Sequence, residues 1–360
     1  MPQLTILSPS QQVAQFIRVR LLRGAWNTLM PGAPQLAEEF GIDRKTVDAA
    51  LKILEQEGLL IAQGPGKKRK IHQPKNLTPT KLRIAILACE DSDRSLNYMV
   101  ETHHRLSEDG HNAFYAPRYL NDLNMDVKRV ARMVKQTEAD AWIVLSASRE
   151  VLEWFSEQPF PSFAMFGRRI GLQMPSVGPD KLPPLLEATR ALIRFGHRRI
   201  VLMVRPRRRL PVPGTSETAF LEELKKHGLP VGDYNLPPWE DSIEDYHARL
   251  DVLFRSTPPT ALIVDEVVLF LATQQFLAKK RIRVPDDVSL ACTDNDQCFD
   301  WCRPEISRIS WDIAPVVRRV VRWASQISHG KIDFRQTLTP ARFITGGTIG
   351  PVRRELDLLK

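Results

Sequence analysis

One run, residues 36–66 (LAEEFGIDRKTVDAALKILEQEGLLIAQGPG), constrains this chain more than any other stretch. Within it Val47, Ala50, Leu51 and Leu54 recur at i, i+3, i+4 and i+7, the spacing of one apolar helical face. The opposite face centres on Lys45, Ala49, Lys52 and Gln56, with Thr46 and Asp48 on its flanks. Gly41-Ile42-Asp43 makes a turn ahead of that helix, and the Asp43 carboxylate can cap it by accepting from the backbone N–H of Lys45 or Thr46. A shorter helix near Pro34–Phe40 comes before the turn, opening at a proline suited to a first helical position. Strands at 59–63 and 67–71 flank Gly64-Pro65-Gly66 as a wing, which runs straight into Lys67-Lys68-Arg69-Lys70. A helix held on one side and polar on the other suits a DNA major groove. An ordinary helical hairpin would share the periodicity, but not the glycine turn, the Glu57-Gly58-Leu59-Leu60 close and the basic ribbon together.

Charge is distributed to match. Residues 1–81 hold twelve Lys or Arg against six Asp or Glu, so +6 of the chain's formal +9 sits in its first quarter. Such a footprint attracts a polyanion and brings salt dependence without choosing a base sequence.

The first unit spans residues 1–72. Its first helix is expected over Ser10–Arg23 and ends at Gly24, with Trp26 and Leu29 beneath it. Residues 73–81, polar and carrying two prolines, read as a linker. From Leu82 to residue 360 the grammar changes to alternating strands and helices. Strands are expected at 82–89, 112–116, 141–146, 162–166, 199–204, 261–264 and 288–292, with helices filling the gaps. Runs such as RIAILAC and AWIVLSA are apolar almost throughout, as a parallel sheet covered on both faces requires. The expected architecture is therefore an N-terminal winged helix-turn-helix followed by a two-lobed, doubly wound parallel α/β domain.

Hydrophobic content of 43% and charged content of 26% are ordinary for a globular chain, and no run approaches a membrane span. The opening residues lack a basic start and an apolar core, so a cytoplasmic protein is expected. Cys89 and Cys292 fall in strand-like runs and Cys298 and Cys302 in a loop-like one; without a second matched pair they point to reduced thiols and no metal. No cofactor fingerprint, nucleophile elbow or phosphate loop is present, so an enzyme is not expected.

The first unit resembles the GntR-type winged-helix domain. Pro31-Gly32, Leu36-Ala37, Gly41, Arg44-Lys45-Thr46-Val47, Ala50-Leu51, Leu54 through Leu60 and Gly64-Pro65-Gly66 follow its pattern in order. The resemblance implies that Arg44, Lys45 and Thr46 approach DNA at a helix N-terminus, and that a wing carrying Gly64, Gly66, Lys67, Lys68 and Arg69 enters a minor groove. Lys52 extends the same face. Two departures stand out: Pro34 and Asp48 occupy places where the family has arginines, so a different operator preference is expected.

Residues 82–351 resemble the LacI-type effector domain. The anchors are Gly196-His197-Arg198-Arg199-Ile200, Val284 through Ser289, Asp294, Pro304 through Ser307 and Gly346-Gly347-Thr348. Together the two halves resemble arabinose-type repressors. The resemblance implies a regulator that binds operator DNA as a homodimer and senses a small polar ligand, for instance a sugar, between its lobes. Asp294, Asp265 and Arg168 are the polar candidates for that pocket, and Tyr98, Phe166 and Trp301 the aromatic ones. The family's pocket arginine aligns with Ser216, and its Asn-Asp pair falls near Asp265-Glu266-Val267. A regulator that has lost small-molecule control is thus one alternative; a solute-binding protein, opposed by the missing leader and the basic first unit, is another.

Overall fold

The computed structural model describes residues 8–22, 26, 28–64, 66–71 and 81–352. Arg23, Gly24, Pro65 and the linker up to residue 80, singled out above, lie outside the described residues.

The N-terminal unit is built from α1 (Pro9–Leu22), α2 (Ala33–Phe40), α3 (Arg44–Gln56), β1 (Leu60–Ile61) and β2 (Lys70–Ile71). Val47, Ala50, Leu51 and Leu54 are fully buried and meet Val13, Ile17, Leu36 and Met30 in one core. The turn from α2 to α3 bends at Gly41, whose φ of 63° favours glycine over any residue with a Cβ. The Asp43 carboxylate accepts from the backbone N–H of Lys45 at 2.9 Å and of Thr46 at 3.2 Å, the cap expected from the sequence. Leu29 does not pack beneath α1 as expected. It is half exposed and contributes backbone, forming an antiparallel bridge to Lys70 that widens the wing to three chain segments.

The larger unit has two lobes. The first holds a six-stranded sheet in the order β12-β7-β6-β5-β3-β4, from β3 (Arg83–Leu87), β4 (Asn112–Tyr115), β5 (Ala141–Leu145), β6 (Ser162–Met165), β7 (Ser176–Pro179) and β12 (Gln336–Thr339). All its pairings are parallel. Helices α4 (Asn97–Glu108) and α12 (Ile313–Ser328) supply core to one face. Helices α5 (Val127–Gln136) and α6 (Arg149–Glu157) supply it to the other. The second lobe holds β13-β11-β10-β9-β8, from β8 (Ile200–Met203), β9 (Ala261–Val264), β10 (Ser289–Cys292), β11 (Ser307–Trp311) and β13 (Ala341–Ile344). Around it lie α7 (Leu182–Arg194), the single turn α8 (Pro206–Arg209), α9 (Thr215–Lys226), α10 (Ile243–Ser256) and α11 (Val267–Lys279). This sheet departs from the all-parallel expectation at one edge, where β13 runs antiparallel to β11.

The chain passes between lobes three times: after β7, after β11 and after β12. Each sheet is therefore completed by strands far apart in sequence. The glycine-rich close of the second lobe threads tightly: a Cβ on Gly346 would stand 2.2 Å from the Glu305 carbonyl oxygen. Thr348 then donates to Leu290 O at 2.7 Å and accepts from the Ser307 N–H at 2.9 Å. His197 of the Gly-His-Arg anchor is buried, its Nε2 2.9 Å from Gly350 O and 3.0 Å from Ser289 Oγ. That motif ties α7 to the end of the sheet. No helix among the described residues is long and apolar enough to cross a membrane.

Candidate functional site

Two surfaces follow from this fold. The first is the polar side of α3 with the wing. Because α3 is pinned by its apolar stripe, Arg44, Lys45 and Lys52 are left exposed, with Thr46 partly so. Gly64, Gly66, Lys67 and Lys68 are exposed on the wing. Among the described residues no carboxylate pairs with Lys45, Lys52, Lys67 or Lys68, so their charge is available to an outside anion. Arg44 is partly engaged by Asp48 at 3.7 Å, a weak exposed pair along one helix turn. Arg69 is a correction. Its Nε donates to the Glu55 carboxylate, so the guanidinium fastens the wing to α3 and is spoken for. Arg18 and Arg20 of α1 are likewise used internally, against Glu57 and Glu39.

The second is the cleft between the lobes, at the C-terminal ends of the strands, where ligands of open α/β sheets gather. Three non-glycine residues there have positive φ: Ser146 (50°) after β5, Phe166 (59°) after β6 and Glu266 (63°) after β9. Backbone strain at such positions persists only where the surroundings impose it, and it concentrates at functional sites.

Most of the expected pocket residues come together. Tyr98, Phe166 and Trp311 form an aromatic cluster with ring centroids 5.1, 5.6 and 5.7 Å apart. Trp311 Nε1 donates to Asp294 at 2.8 Å, and Lys181 pairs with the other oxygen of that carboxylate at 3.0 Å. Asp265 is buried; burial would push its carboxyl up, but Arg208, then Lys181 and a hydrogen bond from Thr293, hold it down at about 2. Arg168 reaches across from the first lobe to donate to Leu210 O in the second. Trp301 is a correction: it lies on a 3₁₀ turn (Gln297–Trp301) and is 89% exposed, so Trp311 takes the aromatic place expected of it.

Sequence reasoning missed Arg205, just before α8, and the arginines of α8. Arg205 donates to Glu266 at 2.8 Å and Asp241 at 2.7 Å, and stands 3.6 Å from Glu90 of the first lobe. Arg207 also holds Glu266, at 2.5 Å. Arg208 bridges Asp265 at 2.8 Å and Glu217 at 2.7 Å. Arg208 and Ser216 line the same small cavity. The signal was present as Arg205-Pro206-Arg207-Arg208-Arg209 directly after an apolar strand. Opposite, in the first lobe, burial raises the Asp93 carboxyl to about 6 despite N–H donors from Glu90 and Cys89. Burial also pushes the Cys89 thiol up to about 12. The cavity left by Lys181, Arg208, Glu217, Asp265 and Thr293 is about 10 Å³, room for one water.

Comparison with known proteins agrees with both halves. Residues 9–66 match bacterial regulatory proteins of the gntR family, and residues 189–349 match the periplasmic binding protein-like domain. The HTH-type transcriptional repressor CytR of Escherichia coli K12 is 24% identical over 140 residues, which are 39% of this chain and 41% of the repressor's length. A LacI family regulator from Enterococcus faecium with bound ribose superposes with a TM-score of 0.59 at 17% identity, covering 75% of this chain and 100% of that one. The transcriptional regulator CelR in complex with cellobiose gives a TM-score of 0.60 at 17% identity, covering 89% and 100%. The chain thus joins a segment that matches the gntR family of bacterial regulatory proteins to one that matches a periplasmic binding protein-like domain.

Proposed function

We propose that the chain is a sequence-specific transcriptional repressor that binds operator DNA as a homodimer and is controlled by a small polar ligand. The winged unit occupies residues 1–72, a linker residues 73–81 and the ligand-responsive unit residues 82–360. The observation that carries this reading is the exposed basic face of α3 and the wing, where Lys45, Lys52, Lys67 and Lys68 have no internal acidic partner among the described residues. Arg44 and Thr46 flank them, and Gly64 and Gly66 let the wing backbone approach a groove. The CytR name supports repression. The ribose and cellobiose complexes of the structural relatives support a polyol ligand, held by Asp294, Asp265 and Arg168 against Tyr98 and Phe166. A labelled two-fold fragment from the chain's own promoter, titrated at two salt concentrations, tests it. Tight binding at low salt that weakens steeply with salt is expected; no binding at low salt refutes it.

A second reading is favoured by one observation. The strand ends of the second lobe are occupied by the chain's own ion pairs, Arg208 with Asp265 and Glu217, beside a cavity of only about 10 Å³. A regulator of the same build without small-molecule control fits that filling. A thermal-shift panel of pentoses, cellobiose and nucleosides separates the two, since a ligand binding only the folded state raises its stability. Stabilisation by one panel member supports ligand control; a flat panel supports the second reading.

A further inference from the structure

One apolar cavity is well away from the cleft. It lies in the first lobe between the end of α6, the starts of β6 and β7 and the segment after α12, with a volume of about 100 Å³. Since Ser162 and Pro175 stand at the N-terminal ends of β6 and β7, it opens at the opposite end of the sheet from the interlobe cleft. It also lies at the end where β3 begins at Arg83, with only β5 between β3 and β6. Its walls are Phe160, Met174, Pro175, Trp323, Ile327 and Phe334. At about 100 Å³ it is smaller than the roughly 150 Å³ apolar cavity that takes benzene, so a single ring fits only with its substituent out at the open mouth.

The polar groups at the rim decide the substituent. Asp333 is spoken for, paired with Arg319 at 2.8 Å and accepting from the Arg335 N–H. Ser156 and Ser162 donate to backbone carbonyls of Glu153 and Phe155. Lys331 and Gln173 also line the cavity, and among the described residues neither side chain has a polar partner. The rim therefore presents one uncompensated ammonium and one free amide beside an aromatic and proline-walled hole.

We propose that this cavity is a binding site for a small aromatic carboxylate, the ring seated among Phe160, Trp323 and Phe334 and the carboxylate at Lys331. The site is separate from the DNA surface and from the cleft, so its test does not depend on either. The full-length chain is titrated with benzoate, with benzyl alcohol as the uncharged ring and acetate as the ringless anion, and followed by thermal shift and calorimetry. Benzoate is expected to raise the Tm saturably, acetate not at all, and benzyl alcohol to bind at least about threefold more weakly, the worth of one exposed charge contact. Lys331→Gln, a surface change, removes the difference between benzoate and benzyl alcohol. Ile327→Phe fills the cavity and abolishes both. The proposal is overturned if benzoate leaves the wild-type Tm unmoved at millimolar concentration, or if acetate matches it. It is also overturned if Lys331→Gln binds benzoate unchanged, a result that stands even if Ile327→Phe fails to fold.

Discussion

Replacing Arg208 with methionine removes the cation that lies between two buried carboxylates. The guanidinium meets Asp265 at 2.8 Å and Glu217 at 2.7 Å, and both acidic side chains are 3% exposed. Methionine keeps the aliphatic stem but no charge, so both acids face low-dielectric surroundings together. The Asp265 carboxyl is held at about 2 against an ordinary 3.8. At about 1.4 kcal/mol per pKa unit, that depression corresponds to about 2 kcal/mol of stability at neutral pH. Leaving a buried ion unpaired costs about 3–5 kcal/mol in general, so about 3 kcal/mol is expected for Arg208→Met at pH 7. The sign of the pH dependence follows. A depressed folded pKa stabilises above the unfolded value and the benefit disappears as pH falls towards 2. In the variant the Asp265 carboxyl takes up a proton instead, so wild type and variant converge in acid. Urea unfolding at pH 7 and pH 4.5, followed by tryptophan fluorescence and circular dichroism, reads both quantities. A loss below about 1 kcal/mol at pH 7, or a loss that does not shrink at pH 4.5, would refute the pairing as the source of stability.

Three further outcomes are expected. Trp311→Ala should cost about 3–5 kcal/mol by cavity formation and loss of its Asp294 hydrogen bond, whereas Trp301→Ala, on an 89% exposed side chain, should stay within about 0.5 kcal/mol in the same urea titration. Lys67→Ala or Lys68→Ala should each lower the slope of log K against log salt by about one in operator-binding titrations, while Arg69→Ala should chiefly destabilise the winged unit. Asp93 has a raised folded pKa, so its contribution to stability is present below about pH 4 and lost as pH rises through about 6. Asp93→Asn should therefore gain on wild type, by up to about 2 kcal/mol, as chemical denaturation is moved from pH 4 to pH 7.

The winged unit was legible because its determinants are local. The period of Val47, Ala50, Leu51 and Leu54, the Asp43 cap and the glycine turns each act within a few residues, and each is realised. Arg69 was misread because its partner, Glu55, faces it only once the wing folds back on α3. The lobes were legible where strands are continuous apolar runs. β7, β11, β12 and β13 were missed for the same physical reason: each mixes polar residues, proline or glycine into a short strand whose neighbours come from distant sequence. The cleft was half legible. Asp294, Asp265 and Phe166 could be placed by their position after strands, but the role of Arg205, Arg207 and Arg208 depends on α8 turning back over the strand ends. Trp301 sits beside good pocket residues in sequence and points away in space.

The cleft also explains what kind of ligand could compete for it. Arg205, Arg207 and Arg208 lie beside Glu266, Asp241, Asp265 and Glu217, and each finds a partner within the same lobe. Hydrogen bonds to charged groups are worth about 1.5–3 kcal/mol net each, so a neutral polyol that displaced one guanidinium from its carboxylate would lose as much as it gained. A ligand that leaves those pairs intact and works at the boundary faces different terms. Across that boundary run Arg205 to Glu90 at 3.6 Å and Arg168 to the Leu210 carbonyl. A polar molecule that opened the gap and replaced those two contacts, stacking on Tyr98 and Phe166 while bonding Asp294, would shift the lobes without dismantling either core. Control therefore falls to the Glu90–Arg205 pair. Glu90→Gln should loosen closure and raise ligand affinity if the lobes must part for entry, and lower it if the closed pair holds the ligand in place. Fluorescence titration of that variant with the panel member that stabilises wild type decides between the two, and an unchanged affinity refutes a gating role for the pair.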